Sequence, residues 1–424
     1  MIDFSKNYSV HFVGIGGVSM HALAMFCNDL GWQVSGSDVK KNKYVNACRS
    51  KGIKVYISHK KENVPPCNFI VKTGAIADNN PEIEYAKKLG IKIYDRADFL
   101  GEVTKQFPLV IGVAGSHGKS TTTAMIEHIL RADNRKVSCH IGADVENARL
   151  NLNDDILVVE ACEFNKTFLK LKLDVACVLN VENDHMDCYH TMYQLKNSFK
   201  TFLKHAKKRF ILDNDTTKYI DLINTDRLPT VKYCGGKFFF KGEKYIFSED
   251  LGEQYAYDAI MAIAVCKDLG VNYHIIYNAL KTFQPLPRRR QVVGKYKNTE
   301  LIIDYAHHPT EIKYLIENFK KDKPLFVFQP HTFSRTKYLK NEFLEVLRDI
   351  DLIVFKEYSA RETSDKGLSA HQLFDELKNI NPLAIYAENL NDILNQKQLE
   401  HYTKILFVGA GDINDLANQL TKIE

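Results

Sequence analysis

Gly115-Ser116-His117-Gly118-Lys119-Ser120-Thr121-Thr122 follows the apolar run Leu109-Val110-Ile111-Gly112-Val113-Ala114 and precedes an amphipathic stretch from Thr123 to Leu130. The order reads as a buried strand, a glycine-rich turn and the start of a helix. Such a turn aims successive backbone N–H groups and the positive end of a helix at a polyphosphate. Lys119 then reaches the outer phosphates, and the Ser120 hydroxyl is a ligand for Mg²⁺. The pattern departs from a strict phosphate loop at one place, with Val at position 113 and Gly one residue earlier. The expected ligand is a nucleoside triphosphate held by Gly115, Ser116, His117, Gly118, Lys119, Ser120 and Thr121.

The rest of the chain sorts into three α/β blocks. A strand from Tyr8 to Val13 runs into Gly14-Ile15-Gly16-Gly17, then a helical pattern reaches Leu30, and a second strand ends in Gly36-Ser37-Asp38. Alternation of strands and helices continues to about Val103, which argues for a parallel, doubly wound sheet. The second block opens at Phe107-Pro108 with the phosphate loop, and its strands include 156–160 and 175–180. Residues 208–250 read as short strands and turns. Phe283-Gln284-Pro285-Leu286-Pro287 then stiffens the chain, because two prolines so close disfavour a helix. The third block alternates again, with a single helix expected over 335–348, and closes on Gly409-Ala410-Gly411-Asp412 before a last helix. The expected domains are 1–106, 107–294 and 295–424.

Composition is that of an ordinary globular protein. The 424 residues carry a net charge of +5, with 45% hydrophobic and 26% charged residues. That length fits two or three domains. The densest basic run is Arg288-Arg289-Arg290, with no basic stripe or tail, so nucleic acid is not an expected partner. No apolar stretch approaches 18 residues, so no membrane insertion is expected. The nine cysteines form no C-x-x-C pair and lie mostly in apolar runs, which points to reduced thiols in a cytoplasmic protein.

Chemistry gathers at strand ends. In Gly14-Ile15-Gly16-Gly17-Val18-Ser19-Met20 the third glycine of a dinucleotide fingerprint falls on Ser19, so NAD is poorly matched, yet the turn suits a diphosphate. Asp38, about 20 residues on, is placed to accept from a ribose hydroxyl. Glu160 ends a buried strand and is a candidate carboxylate for nucleotide-bound Mg²⁺, while Glu163 reads equally well as a solvated loop charge. Asp184-His185-Met186-Asp187 crowds acid and histidine at another strand end. Asp304-Tyr305-Ala306-His307-His308-Pro309-Thr310-Glu311 and Gln329-Pro330-His331-Thr332-Phe333-Ser334-Arg335 both leave strands and enter helices. Thr310 and Ser334 are the plain helix-capping candidates there. His331 and Arg335 are expected on one face at helical spacing, and arginine pairs bidentately with carboxylates.

Together these motifs resemble the Mur ligases, in the expected order from residue 11 to residue 411, and Ser359-Ala360-Arg361-Glu362 fits as well. Thr73-Gly74-Ala75-Ile76 and Asn80-Pro81-Glu82 favour the branch that adds L-alanine to UDP-N-acetylmuramate. The resemblance implies three domains: an N-terminal Rossmann-like UDP-binding domain, a central P-loop-type ATPase domain and a C-terminal Rossmann-like domain. It implies ATP-driven amide formation through an acyl phosphate in peptidoglycan precursor synthesis, with ATP and Mg²⁺ required. Lys119, Glu160 and His185 are then catalytic, and Ser120, Glu160 and His185 hold metal. Gln254 and Asp304 join the ATP site. Gly14, Gly16, Gly17, Asp38, His59, Thr73 and Arg96 serve the UDP-sugar, and Tyr305, His331 and Arg335 the amino acid. The partners are these small molecules, with the protein a monomer or weak homodimer. One departure concerns adenine: Gln254, Tyr255 and Asp258 stand where the family usually has His-Asn and a further Asn. The alternative is a divergent paralogue that ligates another amino acid or peptide, or binds UDP-sugar without catalysis.

Overall fold

The computed structural model describes residues 2–143, 145, 148–359, 362–364, 367–396 and 399–423. Ala360 and Arg361 of the motif quoted above lie outside them. Met1–Glu182 with Tyr193–Phe283 forms one compact unit, and Asn183–Met192 with Gln284–Glu424 forms another.

The first unit holds two parallel sheets. Strands β1 (Ser9–Val13), β2 (Gln33–Asp38), β3 (Lys54–Ile57), β4 (Phe69–Lys72) and β5 (Lys92–Asp95) make the first, in the order β3-β2-β1-β4-β5. Every pairing in it is parallel. The order reverses direction beside β1, the place where open α/β sheets bind ligands. Phe12, Trp32, Phe69 and Phe99 pack at the core of this sheet, with Phe12 and Phe99 fully buried.

Strands β6 (Leu109–Ala114), β7 (Val137–His140), β8 (Ile156–Glu160), β9 (Val175–Val178), β10 (Lys208–Asp213) and β11 (Asp226–Pro229) form the second sheet, ordered β11-β10-β9-β6-β8-β7. It too is parallel throughout. A small antiparallel sheet of β12 (Tyr233–Cys234), β13 (Lys237–Phe240) and β14 (Glu243–Ile246) follows, matching the short strands expected over 208–250. Strand β7 was not legible in the sequence, since its four residues include Ser138 and His140, although all four are buried.

The second unit has a mixed sheet of β15 (Gln291–Tyr296), β16 (Thr299–Asp304), β17 (Leu325–Phe328), β18 (Leu352–Phe355), β19 (Ile385–Ala387) and β20 (Lys404–Val408), ordered β15-β16-β20-β17-β18-β19. Only β15 runs antiparallel. The single helix expected over 335–348 is two, Phe333–Tyr338 and Lys340–Val346, broken at Leu339. Leu339, with φ of −108° and ψ of 21°, is buried in the core with Phe343 and Leu347.

Among the described residues, no disulfide joins any of the nine cysteines. Among the described residues, no helix is long and apolar enough to cross a membrane.

Candidate active site

The phosphate loop lies between β6 and the helix Lys119–Ala132. Gly118 caps that helix with φ of +80°, and a Cβ there would sit 2.2 Å from the Asp258 carboxylate, so glycine is required on both counts. The loop is held from behind by the end of β9. Asn180 accepts from the His117 N–H at 2.8 Å, its carbonyl accepts from Ser116 N–H, and Ser116 Oγ accepts from Glu182 N–H at 2.8 Å. His117 Nε2 lies 3.3 Å from a Glu182 oxygen. Asn180 was legible only as part of an acidic strand end, and its role in shaping the loop came from the fold.

Lys119 Nζ donates to the Gly115 and Ser116 carbonyls and to Glu163 Oε1 at 3.1 Å. Burial opposes its charge, but Glu163, with Cys162 and Glu160, holds the ammonium above its usual pKa. Glu163 is not the solvated loop charge that was one reading of it: it is 1% exposed, because the chain turns inward after β8. Ser120 Oγ donates to Glu160 Oε2 at 2.9 Å, and the same oxygen accepts from Gly142 N–H at 2.7 Å. The hydroxyl and carboxylate expected to share a metal are thus adjacent. Gln254 lies in the first turn of the helix Glu253–Asp268, and Tyr255 is buried edge-on to Phe247.

In the first sheet the UDP-sugar candidates gather at the carboxyl ends of the strands. Gly14 follows β1 with φ of +86°, and a Cβ there would lie 2.5 Å from the Thr73 methyl beyond β4. Asp38 Oδ2 accepts from Gly16 N–H at 2.8 Å and Oδ1 from Lys40 N–H at 3.1 Å, so this carboxylate shapes the glycine turn. Gly17 caps the helix Val18–Asp29. His59 Nδ1 lies 3.0 Å from Ser37 Oγ and 3.3 Å from the buried Glu82. Arg96 opens the helix after β5, and its Nη1 donates to Ser19 Oγ at 3.1 Å.

The second unit carries the remaining candidates. His185, with φ of +57°, caps the short helix Met186–Tyr189, and its Nε2 lies 3.5 Å from Asp184. Asp184 is buried and accepts from Arg335 Nε at 3.1 Å and Nη2 at 3.0 Å. Burial opposes the charge on Asp184, yet Arg335 and the histidines beside it hold the carboxyl well below the usual range. Arg335 Nη1 lies 3.0 Å from His331 Nδ1. His331 and Arg335 do meet, but not on one helix face. His331 precedes the helix in a bridge to Tyr358, and Thr332, with φ of +68°, turns the chain between them. The caps also differ from expectation. His308 accepts from Thr310 N–H and Thr332 accepts from Arg335 N–H, while Ser334 Oγ donates to Glu362. A cap must be non-helical, and Thr310 and Ser334 already lie inside their helices. Asp304, buried at the end of β16, accepts from the Ala306 and Arg290 N–H groups at 2.8 Å. Burial pushes its carboxyl up. The guanidinium carbons of Arg288 and Arg289 lie 4.9 and 5.1 Å from the centre of the Tyr305 ring.

A doubly wound sheet beside a phosphate-loop sheet, with lysine, hydroxyl and carboxylate converging, defines a nucleotide-dependent phosphoryl-transfer protein. Three sequence profiles match in order: Mur ligase family, catalytic domain, over 9–108; Mur ligase middle domain, over 113–280; and Mur ligase, glutamate ligase domain, over 288–411. The chain belongs to the Mur ligase family. It is 36% identical over 444 residues to the UDP-N-acetylmuramate–L-alanine ligase of Caldicellulosiruptor bescii, covering 97% of this chain and 98% of that protein. It is 35% identical over 450 residues to the ligase of the same name from Clostridium kluyveri, covering 97% of each. The fold is similar to that of the UDP-N-acetylmuramate–alanine ligase MurC of Thermotoga maritima, with a TM-score of 0.83 at 23% identity over 98% of this chain and 99% of that one. It is also similar to a murein peptide ligase of Psychrobacter arcticus, with a TM-score of 0.73 at 20% identity over 99% and 100%.

Proposed function

We propose that the protein is an ATP-dependent ligase that joins L-alanine to UDP-N-acetylmuramate in peptidoglycan precursor synthesis, releasing ADP and phosphate. The observation that carries this reading is the joint placement of Lys119, Ser120 and Glu160 around the phosphate loop, in a chain alike over its whole length to ligases of that name. We assign UDP-sugar binding to 1–106, ATP binding to 107–294 and amino-acid binding to 295–424.

Phosphoryl transfer needs charge neutralisation and positioning more than a covalent protein nucleophile. The lactyl carboxylate attacks the γ-phosphate, and the alanine amine then displaces phosphate from the acyl phosphate. Lys119 supplies an ammonium to the transferred group, within a loop whose N–H groups cradle the remaining phosphates. Ser120 and Glu160 offer hard oxygen donors of the kind Mg²⁺ takes, with Glu160 already oriented by Gly142 N–H. His185 is the further metal candidate. Bound Mg²⁺ supplies charge neutralisation on the polyphosphate. Gln254 and Asp304 serve adenosine. His331 and Arg335, beside Tyr305, receive the amino acid, whose carboxylate suits a guanidinium fork. Five of the nine cysteines are buried, and the absence of any disulfide among the described residues supports a reducing, cytoplasmic setting.

The test is phosphate release from ATP with UDP-N-acetylmuramate, comparing alanine, glycine, serine and a tripeptide as acceptors. Alanine-dependent release is expected. Release only with the tripeptide, or none with any acceptor, overturns the reading.

A further inference from the structure

We propose that Ser19 and His140 are positioning residues that fix the Arg96 guanidinium for the diphosphate-bearing substrate. The inference rests on the UDP-sugar reading of the first sheet. Ser19 stands where a dinucleotide-type glycine turn has its third glycine, a position normally kept bare so that helix and strand pack closely. Here it carries a hydroxyl with two partners: Arg96 Nη1 at 3.1 Å and His140 Nε2, at the end of β7, at 2.8 Å.

The donors and acceptors fix the roles. A guanidinium only donates, so Ser19 Oγ accepts from Arg96. His140 is 3% exposed, and burial together with Arg96 pushes its imidazole down to about 3, so the ring is neutral at working pH. It meets Ser19 through Nε2 alone. Its Nδ1 is buried with no hydrogen-bond partner among the described residues. Leaving a polar atom so placed is costly, and an apolar side chain at this strand end would avoid the cost. A histidine kept there at a loss points to the bond it does make, which holds the Ser19 hydroxyl and through it Arg96.

The geometry also says what the fixed guanidinium faces. Arg96 and Glu160 line the same narrow cleft, and Glu160 is the carboxylate bonded to Ser120. A substrate anion held by Arg96 is therefore presented on the side of the phosphate loop. An arginine left to its own rotamers would present it less well, because long side chains lose considerable entropy when immobilised.

The experiment is calorimetric titration of the full-length protein with UDP-N-acetylmuramate and, separately, with ATP and Mg²⁺. The variants are Arg96→Ala, Ser19→Ala, His140→Leu and His140→Gln. Arg96→Ala, Ser19→Ala and His140→Leu are each expected to weaken UDP-N-acetylmuramate about five- to tenfold while ATP changes less than twofold. His140→Gln, whose amide can still reach the Ser19 hydroxyl, is expected to stay within about threefold of wild type. If Arg96→Ala binds normally, the UDP-sugar reading of Arg96 falls and takes this proposal with it. If Arg96→Ala loses affinity while Ser19→Ala and His140→Leu keep it, the positioning proposal alone falls. Equal weakening of both ligands by Ser19→Ala marks a merely structural contact and overturns the proposal. Ser19 is only half-buried, so its variant remains informative if His140→Leu does not fold.

Discussion

The Arg335 guanidinium is gripped from two sides: Asp184 accepts from Nε and Nη2, and His331 Nδ1 lies 3.0 Å from Nη1. The fork is therefore held in place, and its charge is balanced by a buried carboxylate. Arg335→Ala is expected to raise the KM for alanine about ten- to a hundredfold, far more than the KM for ATP, since a charge-assisted bond is worth about 1.5–3 kcal/mol. Arg335→Lys should fail to restore it, because one ammonium cannot reproduce a planar fork. Steady-state kinetics with each substrate varied in turn checks both.

Lys119→Ala is expected to lower turnover by more than about a hundredfold, the usual scale for removing a group aimed at developing charge. Binding of UDP-N-acetylmuramate should survive, because its candidates lie around the first sheet. Phosphate release and calorimetry on the same sample separate the two. Near-normal release would remove Lys119 from the ATP site.

Gln254→His is expected to lower the KM for ATP about fivefold, the effect of one regained hydrogen bond of roughly 1 kcal/mol. Gln254 is half-buried in the first turn of its helix, whereas Tyr255 packs into the core against Phe247. The single substitution is the clean test, since replacing Tyr255 would also remove buried aromatic packing. An unchanged KM would mean that position 254 does not meet adenine.

Glu82 is fully buried, and it accepts from Ser37 Oγ at 2.5 Å and Asn63 Nδ2 at 3.0 Å, with His59 Nδ1 3.3 Å away. Burial alone would raise its pKa, but the bonds from His59, Ser37 and Asn63, with the His11 imidazole 3.8 Å away, together bring it far below the usual 4.5. A depressed carboxylate contributes stability above its unfolded pKa and loses it as pH falls below that value. Wild type is thus expected to lose its advantage over Glu82→Gln below about pH 4.5, after exceeding it by about 1–3 kcal/mol at neutral pH. Denaturant midpoints measured from pH 3 to 7 decide it, and parallel curves would refute it.

Much of this protein was determined locally. The phosphate loop, the alternation of strands with helices and the Pro285-Leu286-Pro287 break depend on neighbours within a few residues, and the backbone obeyed them. Ser120 and Glu160 were legible as candidates because each sits at the end of a recognisable element. What the tertiary structure alone decided are contacts between residues far apart in sequence. Glu163 became the partner of Lys119 because the chain buries it beside the loop. Asn180 became the support of His117, and Asp184 the partner of Arg335 across 151 residues of chain. His140, in a four-residue strand too short and too polar to be read, found Ser19 in the first turn of the helix Val18–Asp29. Local propensity names the turn and the helix, but whether a carboxylate is solvated or clamped depends on burial, and burial is a property of the packed chain.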